Sequence, residues 1–152
     1  MANTVISTAE VMEGNDMFLT YRVLRPDGAV VAQSDVSDSS GDTALTVTAY
    51  KLQGTGAVAD EAVYSATVAG GSSAIDKVVM PALQTDGWWG GVDSTGYNFF
   101  YKLPVTTEFP GGQRYRVEFT LTLTSSASST HGTVTMGNVR WASIIYVKPM
   151  VS

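Results

Sequence analysis

Arg114-Tyr115-Arg116-Val117-Glu118-Phe119-Thr120-Leu121-Thr122-Leu123-Thr124 alternates polar and apolar residues without a break. Successive side chains of a strand point to opposite faces, so Tyr115, Val117, Phe119, Leu121 and Leu123 share one side. The arginines, Glu118 and the threonines share the other. This pattern predicts a long antiparallel strand, packed on one face and wet on the other. Outward from it, the same alternation recurs. Met17, Leu19, Tyr21 and Val23 form one apolar row, Leu45, Val47 and Ala49 a second, and Tyr97, Phe99, Tyr101 and Leu103 a third. Val139, Trp141, Ser143, Ile145 and Val147 close the series.

Turn chemistry separates these rows. Arg25-Pro26-Asp27-Gly28 supplies a proline that presets φ and a glycine that takes positive φ cheaply. Pro110-Gly111-Gly112 leads into the 114–124 strand, and a Ser/Thr-rich tip over Ser125–Thr133 is expected to turn it back. The stretches 35–43 and 54–60 read as loops, Glu61–Val68 as a strand, and Ile75–Met80 as a short strand that Pro81 ends at a sheet edge or in a loop. No stretch of about ten residues repeats apolar positions at helical spacing. About seven short strands with Gly/Pro punctuation predict an all-β domain, an antiparallel β-sandwich with a small β-barrel as the alternative.

Composition narrows the function classes. A chain of 152 residues with 44% hydrophobic and 15% charged residues builds one globular domain with a real core. Nine Lys plus Arg, scattered in a chain of net charge −5, make no basic track for a phosphate backbone, so nucleic acid is not an expected partner. Zero cysteines remove disulfides, thiolate metal sites and a thiol nucleophile together. No run approaches the roughly 18 apolar residues of a membrane helix, so no membrane partner is expected. Met1–Met12 has no positive charge before its short apolar stretch and does not read as a signal peptide, which leads to the expectation of cytoplasmic synthesis.

No constellation of residues specifies chemistry. His131 is the sole histidine and sits at the expected hairpin tip, far in sequence from any nucleophile–carboxylate pair. Asp35, Asp38 and Asp42 bring carboxylates near serines, yet lack the spacing of a calcium loop, and read as a solvated loop. Asp60-Glu61 has no second carboxylate placed for glycoside hydrolysis. Asp93–Asn98 lacks the lysine and following helix of a phosphate loop. The expectation is a protein that is not an enzyme and holds no cofactor or metal.

Trp88-Trp89, in Asp86-Gly87-Trp88-Trp89-Gly90-Gly91, is the most informative loop. Adjacent side chains on an extended segment face opposite ways, so one ring is expected to plug the core. The other is left to meet a partner, or a sugar stacked with help from Tyr97. Residues 1–12 are read as an extended arm ahead of a single domain over 13–152. Val5, Ile6 and Val11 would bury against a neighbour when the arm adds a strand to its sheet edge.

Leu83-Gln84-Thr85-Asp86, the tryptophans, Asp93-Ser94-Thr95-Gly96-Tyr97-Asn98-Phe99 and Phe109–Phe119 form an ordered string. With Glu13-Gly14-Asn15-Asp16 ahead of the first strand, that string resembles small virion structural proteins of tailed bacteriophages. The layout also resembles the immunoglobulin-like modules of phage head and baseplate proteins. The resemblance spans about residues 11–147, and its motifs are turns and strands. It implies an Ig-like sandwich in a virion, made in the host cytoplasm. Such a protein would bind the major capsid protein or other virion proteins, with homo-oligomers as a further expectation. A head decoration or cement protein is the leading reading; a neck or tail adaptor and a carbohydrate-binding module are the alternatives. The resemblance transfers no catalytic residue.

Overall fold

The computed structural model describes residues 5–36, 42–53, 58–71, 74–129 and 132–150, without the side chains of 5–7, 58–60, 125–129 and 132–135. Eight strands form two facing sheets, and the fold is a β-sandwich. The larger sheet contains β1 (Val5–Met12), β3 (Thr43–Leu52), β4 (Val58–Ala69), β7 (Gln113–Ser129) and β8 (Gly132–Lys148), in the order β1-β8-β7-β3-β4. The smaller contains β2 (Asp16–Tyr21), β5 (Val79–Gln84) and β6 (Tyr97–Pro104), in the order β2-β6-β5. Among the described residues neither sheet closes on itself, which disfavours the barrel alternative. Among the described residues no helix is long and apolar enough to cross a membrane.

The alternating rows are the core. Leu45, Val47 and Ala49 of β3 lie opposite Leu121, Phe119 and Val117 of β7, and all six are fully buried. From the small sheet, Met17, Leu19 and Tyr21 of β2 and Phe99, Tyr101 and Leu103 of β6 meet them. The join is aromatic. Phe119 stacks on Trp141 at 5.2 Å between ring centroids, and Phe99 meets Trp141 edge-on at 4.9 Å. Tyr21 and Tyr101 reach Phe119 at 5.3 and 5.9 Å. Two polar ties cross the same gap: Tyr21 with the buried Ser143 hydroxyl, and Tyr64 with Tyr101 at 2.8 Å between hydroxyls.

Three expectations are corrected. Residues 5–12 are not a free arm but an edge strand, paired parallel to β8 from Ala142 to Lys148. Val11 packs partly buried against the chain's own core. The backbone of Val5 and Ile6 belongs to the same strand. Second, the tip after Thr124 is not a loop of nine residues. Strands β7 and β8 stay paired as far as Ser129 and Gly132, beyond the last β3 partner of β7 at Leu121. Threonine, β-branched, favours the extended conformation of a strand. Third, Asp35 is not part of a solvated loop. It is buried, pairs with Arg25 at 3.0 Å and accepts the Ala32 amide at 2.8 Å. His131 and Asp38 lie outside the described residues.

Two polar residues shape the ends. Asn98 is buried on the far side of β6, where it accepts the Val23 amide and donates to the Val23 and Val31 carbonyls. It thereby satisfies the Leu24–Val30 hairpin, which no strand covers. Glu13, at the corner between β1 and β2, accepts the amides of Gly111 and Met150 at 2.9 and 2.7 Å. A Cβ at Gly111 would sit 2.6 Å from both that carboxylate and the Pro149 backbone. The Glu13 and Pro110-Gly111 motifs are thus two halves of one structural clamp.

Candidate functional site

The segment between β5 and β6, residues 85–96, is built around two aspartates. Asp93 accepts from the Trp89 indole at 2.9 Å, from the Thr95 and Gly96 amides, and from Arg22 at 3.1 Å. Asp86 accepts from the Tyr97 hydroxyl at 3.0 Å and from the Trp88 amide at 3.1 Å. Gly96 closes the loop at φ +99°, where a Cβ would lie 2.4 Å from the Gln84 carbonyl oxygen. Only glycine fits there. The loop is consequently fixed by its own short-range polar bonds.

That scaffold sorts the two tryptophans. Trp89 is the buried ring, but it packs under the loop rather than plugging the core, whose cluster does not include it: it is 7% exposed, lies 6.0 Å from the Tyr97 ring, and carries the Arg22 guanidinium 5.8 Å above its own ring. Trp88 turns outward and is 53% exposed. It rests on Phe18 of β2 at 4.5 Å and Phe100 of β6 at 5.4 Å, and these two rings stack on each other at 5.5 Å. Phe18 is itself 43% exposed. The three rings form an aromatic patch on the outer face of the small sheet, bordered by the Lys102–Asp16 ion pair at 3.0 Å.

Of the five residues singled out from the sequence, only Trp88 offers an open side-chain surface here. Trp89 is spent on the loop, Val11 on the core, and the side chains of Val5 and Ile6 are not described. Tyr97 is buried at 3% and does not stack beside Trp88 for a ligand. Phe18 and Phe100 were missed by reading the chain. Their signal was the outward position in otherwise clean alternation, where an aromatic replaces the polar residue that a wet face normally carries.

The electrostatics serve structure. The Trp89 indole, two backbone amides and Arg22 hold the Asp93 carboxyl down at about 2, against the desolvation that opposes them. Burial, reinforced by Asp86, pushes the Tyr97 hydroxyl up to about 12. Among the described residues no three His, Cys, Asp or Glu side chains gather to hold a metal. What the arrangement does chemically is present a rigid, apolar, half-exposed surface with a polar rim.

Two outcomes follow from this geometry. Trp89→Ala loses a buried ring and should lower stability by about 3–5 kcal/mol in urea unfolding, while Trp88→Ala loses only exposed ring contacts and should cost about 1 kcal/mol. Equal losses would contradict the assignment of buried ring and patch. The second concerns pH. Because the folded-state value of Asp93 is depressed, its contribution is complete above the ordinary carboxyl value of 3.8 and fades as pH falls toward about 2. Near-UV circular dichroism of the tryptophans should stay constant down to that window and change within it. In Asp93→Ala the signal should differ from wild type already at neutral pH.

No family model, no curated protein and no solved structure matches the chain.

Proposed function

We propose that this chain is a non-catalytic structural protein of a tailed-bacteriophage particle, bound to the major capsid protein as a head decoration or cement protein. The observation that carries the reading is the Trp88–Phe18–Phe100 patch, an exposed aromatic surface held rigid by the loop beneath it. Binding energy concentrates in aromatic anchors that lose little entropy on docking, and tryptophan leads that class. A ring already locked against two others meets this condition. The resemblance of 83–99 and 109–119 to virion proteins supplies the kind of particle. Many copies docking at once would make a modest patch sufficient, because each additional contact acts at high effective concentration.

A second reading is favoured by one feature of the patch. Trp88 leaves about half of its surface exposed, an apolar face suited to stacking a sugar ring. Phe18, not Tyr97, would complete that platform.

Quantitative mass spectrometry of purified virions separates these readings. A head-shell protein should be present at on the order of hundreds of copies per particle, and a neck or tail adaptor at about a dozen or fewer. Trp88→Ala protein, folded by circular dichroism, should be depleted from particles. Absence of the wild-type chain from virions, together with glycan-array binding that Trp88→Ala abolishes, would replace the virion reading with the carbohydrate one.

A further inference from the structure

The loop over residues 85–96 contains two tryptophan–aspartate couples, and among the described residues only one of them holds a cation. In the first, Trp89 donates its indole N–H to Asp93 at 2.9 Å. Arg22 completes it: the guanidinium lies 5.8 Å from the Trp89 ring centroid, and one of its nitrogens is 3.1 Å from each Asp93 oxygen. A π face and a carboxylate hold that cation together. Trp88 and Asp86 make the second couple. The Trp88 amide donates to Asp86 at 3.1 Å, and the Tyr97 hydroxyl reaches both Asp86 oxygens at 3.0 Å. Both donors are neutral. Among the described residues no cation pairs with Asp86 or stands over the Trp88 ring. Residues 85–96 include two carboxylates and no basic residue. Lys102, which opposes Phe18 in the β2–β6 register, is already neutralised by Asp16 at 3.0 Å.

We propose that the aromatic patch docks an arginine of a partner protein, its guanidinium over the exposed face of Trp88 and its charge answered by Asp86. The inference rests on the reading of this patch as a protein-docking surface and names the chemistry it selects. Charge complementarity picks the occupant: an electron-rich ring and a carboxylate without a cation attract a positive group, in a chain of net charge −5. Arginine suits the place better than lysine, because a planar guanidinium stacks on an indole and is more weakly hydrated than an ammonium. Its methylene stem would lie along Phe18, which is 43% exposed beside the Trp88 ring. Arg22 on Trp89 and Asp93 is the same recognition made within the chain.

The test is an NMR titration of the purified full chain, followed at the tryptophan indole N–H signals. The probe is a terminally blocked peptide with one arginine among glycines and serines. A second probe replaces that arginine by citrulline, which keeps the shape and loses the charge. The arginine peptide should shift the Trp88 signal saturably and leave Trp89 and Trp141 in place, and the citrulline peptide should bind at least about threefold more weakly. In Trp88→Ala, followed at the Phe18 ring signals, binding should be lost. Asp86→Asn keeps an oxygen to accept the Trp88 and Tyr97 donors, so it should retain the wild-type far-ultraviolet spectrum. It should still weaken the arginine peptide by about twofold or more. Equal binding of the two peptides, a shift that bypasses Trp88, or Asp86→Asn protein that binds as tightly as wild type would each overturn the proposal. Depletion of Trp88→Ala from particles while the two peptides bind alike would remove the arginine and leave the docking reading of the patch standing.

Discussion

The ring stack of Phe119 on Trp141 is the contact on which the sandwich depends. No cysteine is available to staple the sheets, and no long helix caps either face. Phe99 and Tyr21 from the small sheet close on that stack, so the aromatic contacts joining β2 and β6 to β7 and β8 centre on it. The arrangement leaves the Trp141 indole nitrogen buried without a hydrogen-bond partner. Such an omission costs about 1–3 kcal/mol. Three ring pairs on Trp141, each worth about 0.5–1.5 kcal/mol beyond the area buried, offset it. Packing outweighs the lost hydrogen bond.

A second constraint follows, since three strands must cover five. The centre of the large sheet is sealed, with Leu45, Val47, Val117, Phe119 and Ile145 fully buried. The flanking strands are not. Ala9 and Val11 on β1, and Tyr64 and Val68 on β4, are partly buried apolar residues at the margins. On β1 the margin is guarded by the Glu10–Lys148 ion pair at 2.8 Å. Along β4 from Tyr64 to Val68 no charge does the same. Stability is therefore concentrated at the centre, and the surface available for association lies on the outer face of the small sheet.

Much of this was readable in the chain because strand periodicity is a local property. The rows from Met17–Val23 to Val139–Val147 line the core as their alternation indicated, except Tyr97, which is buried against Trp89 and Asp86 outside the core cluster. That one tryptophan is buried and the other exposed was also readable, though not which ring took which role, nor that the buried one packs under the loop and not in the core cluster. That choice rests on Asp93, whose carboxylate captures the Trp89 indole four residues away. Misreadings arose where a long-range partner decides the outcome. Residues 5–12 look like an arm until β8 is beside them, and Ser125–Thr133 looks like a loop until each half is seen to pair with the other. Asp35 looks solvated until Arg25 reaches it. Phe18 and Phe100 lie 82 positions apart, and only the β2–β6 register brings them together beneath Trp88.

The account places function on a surface prepared in advance: a loop tied down by two aspartates, and above it an aromatic patch that the described residues leave half-exposed. Hydroxyl-radical footprinting of the protein, free and mixed with the capsid shell proposed as its partner, tests that claim most directly. The account predicts that Trp88 and Phe18 are oxidised readily in the free protein and become protected on assembly, while buried Trp89 and Trp141 react little in both states. Equal oxidation of Trp88 and Phe18 in the two states would contradict it.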